Sequence, residues 1–446
     1  MKELLRQLDA DLVRNHRFDT ELFERLTEIQ KSTGILYDRR PMCPFLRPFF
    51  LSATQYTAIS SAAETLSHAF DRITTAALEY PEIAGHLGLT DKELRWARLE
   101  PGYRGTSVNS RLDTFINRDG FAFLEFNGEN PSGVGEQLSL ENLFHEIPEV
   151  SRFLADNEHH FPQPHIRLLS AIDSAYREFG GRKTRPSIAI VDWPGVETSA
   201  EFELLRDYFE SNGYKTMICD PDELEYDGDT LRSGAFEIDV FYKRVIIHEF
   251  LERSDESHAL HGALVDGSVC MVNSFRSKIP HKKSSFSILT DPDFHRLFSE
   301  HQLDVIARHV PWTRLVSEGS AQFQGESVDL TEFVRRERDR FVLKPNDDYG
   351  GHGIFVGWES TESQWDDALE TALGSPYVVQ ERVEVEKINI PTFRSGEAAL
   401  ESLLVDFDPY LFRGEVDGGM VRLSDKSLVN VTQGGGETAL VILERY

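Results

Sequence analysis

Between residues 187 and 245 an apolar run, an amphipathic stretch and two more apolar runs follow one another. Ser187-Ile188-Ala189-Ile190-Val191-Asp192 has the length and content of a buried strand. Ser199 to Asn212 reads as a helix, closed by Gly213 where a left-handed residue ends helices. Tyr214 to Cys219 and Ile238 to Val245 are the next strands. Strand, helix and strand joined by short connections imply a parallel sheet, because parallel neighbours need a crossover. No long linker flanks this α/β unit, so adjoining segments are expected to pack closely on it.

The first hundred residues follow another period. Leu5, Leu8 and Leu12 recur at spacings of three and four, as do Phe23, Leu26 and Ile29. Leu66, Phe70, Ile73 and Ala77 make a third such stripe. These are core-facing sides of amphipathic helices. Pro41, Pro44 and Pro48 punctuate the block. Helix is also expected up to about His145 and over residues 164–179.

Near Pro101 the pattern becomes extended. Arg111 to Asn117 reads as a strand, Arg118-Asp119-Gly120 as a turn, and Phe121 to Asn127 as the returning strand of a hairpin. Residues i and i+2 of a strand share a face. Arg111 and Asp113 therefore point together, and so do Glu125 and Asn127. If the strands pair them, two carboxylates, a carboxamide and a guanidinium converge. Such hard oxygen ligands suit Mg²⁺, which binds through one or two carboxylates plus substrate phosphates. A solvated hairpin face is the alternative.

Four other segments could carry chemistry. Phe341-Val342-Leu343-Lys344-Pro345 enters a loop with Gly350, Gly351 and Gly353, followed by Ile354-Phe355-Val356. Glycines let backbone N–H groups approach phosphate oxygens, and Lys344 would add a point charge. No GK[ST] ends this loop, so it is not a Walker A motif; a plain hairpin tip is the alternative. Tyr377 to Val383 runs an apolar strand into a polar segment that could meet a purine edge, or is a simple strand end. Met420 to Ser424 carries Arg422 ahead of Gly434-Gly435-Gly436. An arginine beside phosphate would stabilise developing charge; a surface arginine is the other reading. The run Arg276 to Lys283 is basic, which suggests an anionic partner or a solvated face. His159-His160 read as surface residues.

Charge narrows the partners. The chain has 47 Lys+Arg against 75 Asp+Glu, a net charge of −28. That balance disfavours nucleic acid and anionic membranes. The start of the chain lacks the apolar core of a signal peptide, and three cysteines without a CxxC pair make no disulfide framework. A reduced, cytoplasmic protein is the expectation.

In content and order these segments resemble the circularly permuted ATP-grasp enzymes, specifically glutathionylspermidine-synthase-like proteins. In that family the arginine-x-aspartate and glutamate-x-asparagine pair precedes the phosphate lysines, as Arg111, Asp113, Glu125 and Asn127 precede Lys278 and Lys344 here. The resemblance spans roughly residues 101–446. The helical region over 1–100, read from its periodicity, stands outside it; for the rest it implies an α+β and α/β architecture that begins with a first ATP-grasp part over 101–180. A pre-ATP-grasp α/β domain would follow over 181–265, and the remaining lobes over 266–446. It implies Mg²⁺ on Asp113, Glu125 and Asn127, and phosphate contacts from Lys278 and Lys344, with Lys282 and Lys283 as alternatives to Lys278. Gly350, Gly351 and Gly353 would cover the phosphates. Gln380, Glu381 and Val383 would line the adenine pocket, and Arg111 and Arg422 would stabilise the transferring phosphoryl group. The implied reaction joins a small-molecule carboxylate to an amine with ATP. An ATP-dependent phosphotransferase and a non-catalytic nucleotide-binding module are the alternatives.

Overall fold

The computed structural model describes residues 1–37, 40–117, 120–348, 350–394, 396–427, 429 and 435–445. Among these residues the α/β unit forms as its pattern requires. Ile188–Val191 pairs in parallel with Thr216–Cys219 on one side and Val240–Lys243 on the other, and Cys270–Val272 adds a fourth parallel strand. Alternate side chains enter different cores. Ile188, Ile190, Val240 and Tyr242 pack with Leu168 and Ile172 of the helix Pro164–Glu178. Ala189, Val191, Phe241 and Met271 pack with Trp96 and Phe250. Burial of both faces explains why these strands are continuously apolar. Helix Ser199–Ser211 makes the crossover, and Gly213 beyond it has φ 85°. The strand Cys270–Val272 lies past residue 265, where the sequence reading ended this unit.

A larger antiparallel sheet carries the hairpin. Gly120–Asn127 pairs with Asn109–Asn117, which pairs with the strand Glu397–Phe412. Beyond it lie Glu415–Ser424 and Gly436–Thr438, while Lys387–Arg394 pairs with the first half of Glu397–Phe412. The expected turn residues Arg118 and Asp119 fall outside the described residues, as does Gly434. One face of this sheet is covered by the helix Ala53–Glu79. That helix starts with a reciprocal capping box between Ser52 and Gln55, which satisfies end donors the helix cannot. Its Leu66, Phe70, Ile73 and Ala77 share one core with Phe123, Phe126, Phe407 and Val421. The rings of Phe70 and Phe126 stack at 4.3 Å. Helices Lys2–His16 and Thr20–Thr33 add Leu8, Leu12, Leu22 and Leu26 to the same core.

A third sheet orders Thr313–Leu315, Tyr377–Glu381, Phe341–Pro345 and Phe355–Val356, all antiparallel. The helix Glu362–Gly374 backs it with buried Trp365 and Leu369. The sequence reading took this region as strand-rich and missed that helix, although Thr361 and Gln364 form its capping box. His159 and His160 form a short strand beside Leu440–Leu443, with His160 exposed at the surface as expected and His159 half-buried. No helix among the described residues is long and apolar enough to cross a membrane.

Candidate functional site

A cavity of about 480 Å³ is walled by the large antiparallel sheet and the third sheet. The hairpin supplies its most charged wall. Arg111 is registered opposite Asn127, and Asp113 opposite Glu125, so the expected convergence is present. Leu112 and Phe126, on the other face, are buried and hold this register. The ladder shifts between Asp113 and Thr114, an irregularity of the kind that re-aims side chains beside functional sites.

Asp113 is the hub. Its Oδ1 accepts from Asn127 Nδ2 at 2.7 Å and from Arg111 Nε at 3.1 Å. Its Oδ2 accepts from Arg422 Nη2 at 2.9 Å. Burial raises the Asp113 carboxyl, but the Arg111 and Arg422 guanidinium groups outweigh it and bring it to about 2. Arg422 Nη2 also donates to Asp406 Oδ2 at 2.5 Å and to Asp408 Oδ2 at 2.7 Å. Carboxylate oxygens of Asp113, Asp406 and Asp408 lie within 4.8 Å of one another, the spacing of a metal site. The shared guanidinium nitrogen already supplies the positive charge there, so this triad is an arginine clasp. Burial raises both Asp406 and Asp408, with Arg422 opposing, and the two share a hydrogen bond. One proton between paired carboxyls relieves their repulsion.

Glu125, Lys344, Gln380, Glu381, Val383, Gly350 and Gly351 line the same cavity. Lys344 Nζ donates to Gln380 Oε1 at 2.7 Å and to the Leu124 carbonyl at 3.3 Å. Burial lowers this ammonium to about 8, against the pull of Glu125. Gln380 thus turns its amide to Lys344, and Glu381 pairs with Arg340 at 3.1 Å. Gly350 and Gly351 have φ 67° and 79°, left-handed values that disfavour other residues. Gly353 also has positive φ but stands outside the cavity lining, and its carbonyl accepts from the Tyr377 hydroxyl at 3.1 Å.

The basic run divides in a way the sequence did not resolve. Lys278 is absent from the cavity wall and is buried between Glu129 Oε1 at 2.8 Å and Asp347 Oδ1 at 2.5 Å. Lys282 joins Asp347 and Glu93 at 2.6 and 2.8 Å. Lys283 reaches the acid of the hairpin, 3.1 Å from Glu125 Oε1. The anionic partners of the run are thus this chain's own acids, for Lys278 and Lys282 a loop aspartate and two buried glutamates.

Sequence reasoning missed Asp406 and Asp408. The alternation Val405-Asp406-Phe407-Asp408 in an apolar strand was the available signal, because buried carboxylates need partners. Asp347 and Glu129 carried no such local mark.

No protein-family model matches the chain, and no curated protein matches it in sequence. Solved structures do. A glutathione synthetase-like effector from Globodera pallida superposes with a TM-score of 0.63 at 14% identity, covering 94% of this chain and 96% of that one. A putative gamma-glutamylcysteine synthetase from Methylobacillus flagellatus gives a TM-score of 0.43 at 12% identity over 88% and 89% of the two chains. The first comparison establishes that the chain shares the effector's fold over nearly its whole length.

Proposed function

We propose that this chain is an ATP-dependent carboxylate–amine ligase of the circularly permuted ATP-grasp type, akin to glutathionylspermidine synthase-like proteins. The observation that carries the reading is one cavity that holds the hairpin acids, Lys344, Arg422 and the left-handed glycines together. The fold shared with a glutathione synthetase-like effector supports it. In this reading the helical region, the α/β unit and the flanking sheets are the domains of such an enzyme, and it works in a reducing cytoplasm.

The donor set fits Mg²⁺. Asp113 is ionised, Glu125 offers a carboxylate, and Asn127 donates through Nδ2, which leaves its carbonyl oxygen as a ligand. Bound there, Mg²⁺ would neutralise ATP phosphate oxygens and fix their geometry. Lys344 and Lys283 would add cations along the phosphates. The N–H groups of the Gly350–Gly351 turn would cover them. A substrate carboxylate oxygen attacks the γ-phosphorus as the bond to ADP breaks, giving an acyl phosphate. Arg111 and Arg422, held rigid by Asp113, would face the charge that spreads over the transferring group. An amine, as its free base, then attacks the acyl carbon. Phosphate leaves, the nitrogen loses its proton, and an amide remains.

The test is thermal melting with Mg²⁺ and ATP, in wild type and Glu125→Ala. A ligand specific to the folded state at a hundredfold excess over Kd adds about 2.7 kcal/mol, a clear rise in midpoint. A rise in wild type that is weakened in the variant supports the site. Screening carboxylate and amine pairs for ADP release then separates a ligase, which yields an amide and phosphate, from a phosphotransferase, which yields a stable phosphoester. No rise with millimolar nucleotide refutes the reading.

A further inference from the structure

His16 ends the helix Lys2–His16 where three elements meet, and it is 9% exposed. Both of its ring nitrogens face carboxylates. Nδ1 lies 2.9 Å from Asp19 Oδ2, and Nε2 lies 2.9 Å from Glu149 Oε2. Asp19 caps the helix Thr20–Thr33 by accepting from the Leu22 N–H at 3.0 Å. Glu149 stands in the first turn of the helix Pro148–Asp156, and its other oxygen accepts from Asn15 Nδ2 at 2.7 Å. The next charges around this joint are engaged: Arg25 acts on Asp19, and Arg17 pairs with Glu397 at 2.9 Å. The same two helices brace the strands Lys387–Arg394 and Glu397–Phe412. The Ala398 N–H donates to the Arg17 carbonyl at 2.8 Å. Arg47, paired with Asp9 of the first helix, donates to the Asn389 carbonyl at 3.1 Å. Lys387 and Leu404 of these strands line the cavity.

A carboxylate only accepts hydrogen bonds, and a neutral imidazole has a single N–H. Both contacts are therefore hydrogen bonds only when the ring is an imidazolium. Loss of its proton turns a lone pair towards one of the two carboxylates. Burial lowers the ring, but Glu149 and Asp19 outweigh it and raise His16 above its ordinary 6.5. The Asp9–Arg47 pair has no such dependence near neutrality, because a guanidinium keeps its proton. We propose that His16 is a pH-operated latch: as an imidazolium it fastens the two N-terminal helices to the helix Pro148–Asp156, and on losing its proton it lets them open from a body that stays folded. Fastening is complete below pH 6.5 and is lost as pH rises through the folded value. The latch does not depend on the nucleotide reading. Through Arg17 and Asp9 it bears on the strands beside the cavity.

Hydrogen exchange of the full chain between pH 6 and pH 9, corrected for the intrinsic rate at each pH, tests this. Protection over residues 2–33 should fall across that range, by about tenfold for each unit by which the folded value exceeds the unfolded one. The strand Ile188–Val191 should not follow that fall. His16→Gln should be poorly protected over residues 2–33 at every pH. Glu149→Gln keeps the ring and removes one carboxylate, so its fall should be smaller. Imidazole carbon resonances, with His16 assigned by its loss in His16→Gln, should titrate above 6.5 in wild type and lower in Glu149→Gln. Melting curves at pH 6 establish that each variant is folded, and Glu149→Gln decides alone if His16→Gln is not. Protection over residues 2–33 that is flat with pH in wild type overturns the proposal, as does a fall of wild-type size in either variant.

Discussion

The ammonium of Lys278 sits 2.8 Å from the Glu129 carboxylate, and both side chains are 1% exposed. Asp347 closes on the same ammonium at 2.5 Å. This lysine ties the loop ahead of the glycine turn to the body of the protein, while Lys344 stands on the cavity wall.

The two lysines should therefore fail differently. Removing one partner of a buried ion pair strands the other, at roughly 3–5 kcal/mol. Lys278→Met should lose about that much in urea unfolding, and what remains folded should bind Mg-ATP nearly as wild type. Lys344→Met should unfold within about 1 kcal/mol of wild type, since a buried ammonium contributes little net stability, and should lose the nucleotide-induced rise in melting temperature. Equal behaviour of the two variants would refute the division of labour.

Acid should release the same tie. Burial raises Glu129, but Lys278 outweighs it and holds the carboxyl near 2, below the ordinary 4.5. The unfolded chain binds this proton first, so the contribution is complete above pH 4.5 and fades as pH falls towards 2. Stability measured from pH 6 to 3 should drop more steeply in wild type than in Glu129→Gln.

Lys344 has a linkage of the same sign from a different cause, burial of the ammonium. Its folded value, about 8, lies below the ordinary 10.5, so between those values the unfolded chain holds more proton and stability rises with pH. Phosphate favours the charged form. Mg-ATP binding should thus take up a proton and weaken as pH rises through about 8. Lys344→Arg should flatten that profile, read by titration in two buffers of different ionisation enthalpy.

The carboxyls of the arginine clasp are not equivalent. Asp408 is held well above its usual range, whereas Asp113 is held at about 2. An amide can replace a protonated carboxyl, so Asp408→Asn should cost at most about 1 kcal/mol. Asp113→Asn removes an ionised hub and a proposed metal ligand, and should abolish the Mg²⁺-dependent rise in melting temperature. A severe Asp408→Asn and a mild Asp113→Asn would reverse the assignment.

Cys43, Cys219 and Cys270 are buried, and burial pushes each thiol up to about 12. The thiolate is the reactive form, so native protein should resist iodoacetamide at pH 7.5. Intact mass should show three alkylations only after denaturant is added.

Much of the fold was legible because it depends on period. The stripes of Leu66, Phe70, Ile73 and Ala77, the apolar run from Ile188 to Val191, and the alternation in the hairpin each reflect neighbours one turn or one pleat away. The helix Glu362–Gly374 was missed although its capping box is equally local.

Sequence alone determined that Arg111, Asp113, Glu125 and Asn127 would gather on one hairpin face, since strand geometry and a short turn leave little else. Tertiary structure decided what that face meets. Arg422 reaches Asp113 across 309 residues, and Lys278 meets Asp347 across 69. Those partners, and the burial that makes Lys278 a tie and Lys344 a weakened ammonium, arise only when distant strands and loops close on one another. Local pattern carries no record of which charge will be left facing the cavity, because desolvation and ion pairing are properties of the assembled fold.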